Sequence, residues 1–138
     1  MKFNSSFKTL ALASLIALGA PVSVQADDTP LAEQMDTLSG SLKRLRRVDT
    51  NAERVGLVQE AQKAVIKSLE YLPEVFKDID DEKKKADATA DYKMLVGQTY
   101  VKLCELEMAY LADDEDKADE IKDQLKDLKK EGHDKYTE

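Results

Sequence analysis

The sequence predicts an all-α protein, an antiparallel up-down-up-down four-helix bundle, on three observations. Apolar residues recur at spacings of three and four in four separate segments. Helix caps and breakers fall between those segments. The composition, with 36% charged residues, five Gly, three Pro and no Trp in 138 residues, is that of solvated helices. No stretch alternates with the period of two that a half-buried strand requires.

Thr29-Pro30 opens the first helix, with Thr as N-cap and Pro at the first helical position. Leu31, Met35, Leu38, Leu42 and Leu45 then form one narrow apolar stripe, and Asp49 marks the break. Thr50-Asn51-Ala52-Glu53 has the form of a capping box, so a second helix begins there. Its stripe is Val58, Ala61, Val65, Leu69 and Leu72, and Pro73 stops it. The charge-dense stretch from Glu74 to Asp87 reads as the longest connection, in part helical at its end. A third helix follows to about Leu111, with Tyr92, Leu95, Thr99, Leu103, Leu106 and Tyr110 on its stripe and Val96 widening it. Ala112-Asp113-Asp114 reads as a short turn with an Asp cap. The fourth helix presents Ala118, Ile121, Leu125 and Leu128, with Lys, Asp and Glu on its other faces. Short loops between such helices favour antiparallel neighbours.

Residues 1–26 read as a secretory signal peptide. Lys2 and Lys8 give a positive start, Leu10 to Ala20 is an apolar run too short to span a membrane, and Val24-Gln25-Ala26 supplies small residues for cleavage after about Ala26. Residues 27–138 would be the single bundle domain, large enough for one modest core. Two lysines and no acid leave with the leader, so the remainder is more acidic than the −7 of the full chain. That charge argues against nucleic acid and anionic membrane as partners, and nothing after the leader is apolar enough for membrane insertion. Cys104 is the only cysteine, which excludes an internal disulfide. The chain is expected to be a monomer, with a disulfide dimer through Cys104 left open.

Two residues stand out as candidate ligands. Met35 lies on the first stripe, and His133, the only histidine, lies in the last turns of the fourth helix. An antiparallel first and fourth helix would bring them to the same end of the bundle. A thioether and an imidazole are the side chains of Met/His haem ligation, which leaves iron no vacant position and suits electron transfer. Taken singly, Met35 reads as core packing and His133 as an exposed helix end, and Gly132 is a candidate helix stop just before it. Other metal chemistry finds no support. C-x-x-C-H is absent, one His and a remote Cys104 cannot hold zinc, and a di-iron site needs a second histidine. Asp78-x-Asp80-x-Glu82 lacks the glycine of a calcium loop, with Lys83 in its place. Lys43-Arg44-Leu45-Arg46-Arg47 reads as a cationic last turn that complements the helix dipole. No nucleophile accompanies His133, so no enzyme is expected.

Three segments at matching offsets resemble the soluble cytochrome b562 family. They are Leu31 to Leu38 around Met35, Leu95-Val96-Gly97-Gln98 in the third helix, and His133-Asp134-Lys135-Tyr136. The resemblance spans the chain after the leader and is least close between the second and third helices. It implies a periplasmic four-helix bundle that holds one non-covalent haem b between Met35 and His133, carries electrons, and has no well-defined redox partner. The chain departs from the family pattern at Gly132, where an aromatic is frequent, at Lys129, where an arginine is frequent, and at Ala88, where an aromatic wall residue stands. Those departures keep a second expectation open: a haem-free periplasmic bundle serving as an interaction or stress protein.

Overall fold

The computed structural model describes residues 29–137, so the expected signal peptide lies outside the described residues. Four α-helices follow in order: α1 (Pro30–Arg44), α2 (Asn51–Ser68), α3 (Glu82–Leu111) and α4 (Glu115–Tyr136). Short 3₁₀ turns, Leu45–Arg47 and Glu74–Asp78, lie before α2 and α3. Among the described residues there is no strand, and the helices form a four-helix bundle.

Each α-helix starts where a side chain satisfies the free backbone N–H groups of its first turn. Thr29 Oγ1 accepts from the Ala32 amide at 3.1 Å. Thr50 Oγ1 accepts from the Glu53 amide while Glu53 Oε2 accepts from the Thr50 amide, each at 3.3 Å, completing the capping box. Asp81 and Asp114 accept from the Lys84 and Lys117 amides at 2.8 and 3.0 Å. An N-cap of this kind contributes about 1 kcal/mol. Asp81 also explains why α3 begins at Glu82, earlier than the expected connection to Asp87. A capped run of Glu, Lys and Ala has high helix propensity, and its charge marks solvent exposure rather than a loop. The chain reverses into α4 through Asp113, whose φ of 55° lies in the left-handed region. A short polar side chain tolerates that conformation, and Asp113 Oδ1 accepts from Asn51 Nδ2 at 2.7 Å.

The core is built mostly by α2, α3 and α4. Val58, Ala61, Leu103, Leu106, Ala118 and Ile121 have no exposed surface. α1 packs closely on α2, α2 on α3, and α3 on α4, while α1 and α4 have no comparably close backbone packing among the described residues. Polar cross-links mark which levels meet. Arg44 bridges to Glu60 at 3.2 Å, Gln59 and Gln62 both donate to Glu107 at 2.7 Å, and Arg54 pairs with Glu115 at 2.6 Å. Tyr92 donates to the Ser68 carbonyl at 3.4 Å, and Lys135 to Asp91 at 3.1 Å.

Two expected stripes are displaced. On α1 the buried polar residues are Gln34 and Ser41, which with Leu31, Leu38 and Leu45 make the innermost row. Met35 and Leu42 flank that row and are half-buried. On α2 the helix ends at Ser68, so Leu69 and Leu72 leave the stripe and are exposed. The end of the core near them is closed instead by Phe76, delivered by the second 3₁₀ turn and 2% exposed.

Candidate functional site

The α4 helix does not stop at Gly132. It continues to Tyr136, so His133 is a helical residue in the last turn, and its side chain is exposed. The inward row of α4 runs Ala118, Ile121, Leu125, Leu128, Gly132, Tyr136, and His133 lies beside it. A Cβ placed on Gly132 would meet nothing within 4 Å, so the row has a notch next to His133 with open space before it.

On α1, Met35 is half-buried. The polar contact between α1 and α4 is Lys129 Nζ with Ser39 Oγ, at 3.5 Å. Met35 precedes Ser39 by one helical turn and His133 follows Lys129 by one turn. With 100° per residue, a step of four residues leaves each candidate about 40° around its own helix from the residue that makes the contact. Each candidate therefore lies one turn from a residue that makes this contact.

An aromatic group closes this end of the bundle. Phe76, Tyr92 and Tyr136 meet pairwise edge-to-face, with centroid separations of 6.1 Å for Phe76–Tyr92, 5.3 Å for Phe76–Tyr136 and 5.8 Å for Tyr92–Tyr136. Tyr136 donates its hydroxyl to Asp91, which also accepts from Lys135, and Lys135 reaches Glu131 at 2.8 Å. Burial first, and then the bond to the Asp91 carboxylate, push Tyr136 up to about 12. The Tyr136 hydroxyl, followed by the Lys135 ammonium, holds Asp91 below the usual carboxylate range. Lys135 is pushed up by its bonds to Glu131 and Asp91. Tyr136 and Lys135 thus tie the last turn of α4 to Asp91 of α3, while His133 is exposed. Tyr136 was legible as the continuation of the 125, 128, 132 spacing. Asp91 has no signature in the sequence.

Of the three family departures, Ala88 is half-buried against the core, Gly132 is the notch, and Lys129 makes the α1–α4 contact. Cys104 is half-buried on α3. Beside the aromatic group, Thr29, Pro30 and Leu31 face Tyr71, Pro73 and Phe76 across an open groove of about 410 Å³. Among the described residues, no group of three or more His, Cys, Asp or Glu could hold a metal ion, and no helix is long and apolar enough to cross a membrane. A haem makes a smaller demand, because its ring occupies four positions on iron and the protein supplies two. Met35 and His133 match that donor set in chemistry. No family model matches the chain, and comparison with curated proteins finds no match.

Proposed function

We propose that the chain is a periplasmic haem b-binding electron-transfer protein of the soluble cytochrome b562 type, with Met35 and His133 as axial ligands. The bundle is read as antiparallel and up-down-up-down. The pairing of late α1 with mid α2, of Ser68 with Tyr92, and of Asp91 with Lys135 supports that topology. The observation that carries the functional reading is the register at the α1–α4 seam. In antiparallel helices, one turn before Ser39 and one turn after Lys129 are displacements in the same direction, about 6 Å each. On that topology a thioether and an imidazole would come to a similar level along the least closely packed seam of the bundle, which supports the reading.

Haem iron would supply a one-electron couple. Met35, a soft donor, would favour the reduced state and raise the potential, and His133 would supply the second protein ligand. With both ligands from the protein, such a centre would have no place for oxygen or a substrate. Leu42, half-buried on the same helix, would supply apolar wall beside the group. Lys129 leaves a cation near the site. The leader-like sequence of residues 1–26 supports export, and the acidic charge favours a basic redox partner.

A specific observation favours the second reading, a haem-free bundle that serves as an interaction or stress protein. His133 is exposed, and the Phe76–Tyr92–Tyr136 group with Asp91 closes that end of the core with protein groups alone.

The deciding experiment is a haemin titration followed in visible absorption, oxidised and reduced, on the purified chain, His133→Ala and Met35→Ala. One equivalent giving a sharp low-spin reduced spectrum, converted to high spin in each variant, is the expected result. Broad, non-stoichiometric absorption that is the same in all three would overturn the haem reading and leave the haem-free bundle.

A further inference from the structure

The last eleven residues of α4 are poorly equipped to hold themselves in place. After Leu125 the sequence runs KDLKKEGHDKY, in which Leu128 and Tyr136 are the only large apolar side chains, both half-buried. Gly132 stands between them on the inward row, and a glycine inside a helix weakens it relative to alanine. A helix end of this composition frays unless a neighbouring element holds it.

The neighbour that holds it is α3. The Tyr136 ring lies edge-to-face on Phe76 and Tyr92, with centroids 5.3 and 5.8 Å away, and its hydroxyl donates to Asp91 Oδ2. Lys135 Nζ donates to the same oxygen at 3.1 Å. Among the described residues, the hydrogen bonds that join α4 beyond Lys129 to another helix both end on Asp91. Bonds to an ionised acceptor are stronger than neutral ones. The next residue, Tyr92, is buried and bonded in turn to the Ser68 carbonyl at 3.4 Å, so the socket that receives Tyr136 belongs to the core.

His133 lies within the turn that this socket secures. Its carbonyl accepts from the Thr137 amide at 3.1 Å and from the Thr137 hydroxyl at 2.7 Å, bonds that last only while residues 133–137 stay wound. The His133 side chain is exposed, so its backbone sets its place. We infer that, on the haem reading of Met35 and His133, Asp91 is the positioning residue of His133. It touches neither candidate ligand and acts through Tyr136 and Lys135. A ligand on a frayed turn must be ordered at the moment of binding, which lowers affinity, whereas a turn already tied to α3 has given up that freedom on folding.

Backbone NMR relaxation and haemin titration of the chain, Asp91→Ala, Asp91→Asn and Tyr136→Phe test the inference. Without haemin, order parameters of residues 133–136 should fall from about 0.85 to below about 0.6 in Asp91→Ala, with those around Ile121 unchanged. Haemin should bind Asp91→Ala about tenfold more weakly than the parent, with part of its iron high-spin. Asp91→Asn, whose amide oxygen still accepts from Tyr136, should fall between the two. Tyr136→Phe keeps the ring in its socket and loses only the bond, so it should weaken binding several-fold without disturbing the packing. Charge alone works the other way, since haemin carries two propionates and removal of a nearby carboxylate favours it. A parent that takes up no stoichiometric haemin defeats the haem reading and this inference with it. A parent that binds, while Asp91→Ala and Tyr136→Phe bind as tightly and with the same spin state, overturns the role of Asp91 alone. Weaker binding in Asp91→Ala with the last turn as ordered as in the parent also overturns it.

Discussion

Two seams of the same bundle behave differently. Along the α2–α3 seam, Val58, Ala61, Leu103 and Leu106 are completely buried, and Gln59 and Gln62 converge on Glu107. Along the α1–α4 seam, Met35 and Leu42 are half-buried and the polar contact is the 3.5 Å approach of Lys129 to Ser39. The innermost row of α1 includes Gln34 and Ser41, which turns Met35 about 100° away from Gln34. The contrast separates two tasks. Burial in the closed seam carries the stability, and the more open seam is where the two proposed ligands, Met35 and His133, can be placed at little cost to the fold.

The largest effect should come from emptying the closed seam. Leu106→Ala removes a fully buried side chain and should cost about 3–4 kcal/mol in chemical denaturation, whereas Leu42→Ala on the half-buried flank of α1 should cost about 1–2 kcal/mol. Equal costs would break the distinction between the seams. A smaller effect comes from alkali. Folding raises Tyr136 from its usual value near 10 to about 12, so the folded state holds that proton more tightly than the unfolded chain. The resulting stabilisation is complete below pH ~10 and is lost as pH rises through about 12. The melting temperature of the parent should fall over that window more steeply than that of Tyr136→Phe. The smallest effect is at His133. In the haem-free chain His133→Ala should change stability by less than about 0.5 kcal/mol, as for any exposed helical residue, and a larger loss would mean that the imidazole is part of the packed end.

Much of the fold was legible because helix ends are local. Thr29, Thr50 and Asp114 announce their helices through side chains that reach only three residues, and the rows 58–61–65 and 118–121–125 need no knowledge of the rest of the chain. What escaped was set by tertiary packing. The choice of Gln34 and Ser41 over Met35 and Leu42 depends on which side of α1 meets α2, and polar side chains in the inner row break a hydrophobic pattern. The start of α3 was hidden because lysines and glutamates that favour helix also compose loops. For the site, the proposal of Met35 and His133 rests on residue type and position. The exposure of His133 could not be read that way, because it turns on Gly132 and Tyr136 taking the inward positions and on the Asp91 contact from another helix.

The buried residues of α4 end at Leu125, only halfway along it. Beyond that point the helix is held by half-buried Leu128, by Tyr136 and by lysine pairs at its surface. The helix therefore has two levels of protection against solvent. Hydrogen exchange should therefore be slowest around Ile121 and faster from about Lys129 onward. His133 is carried on the less protected half of the helix.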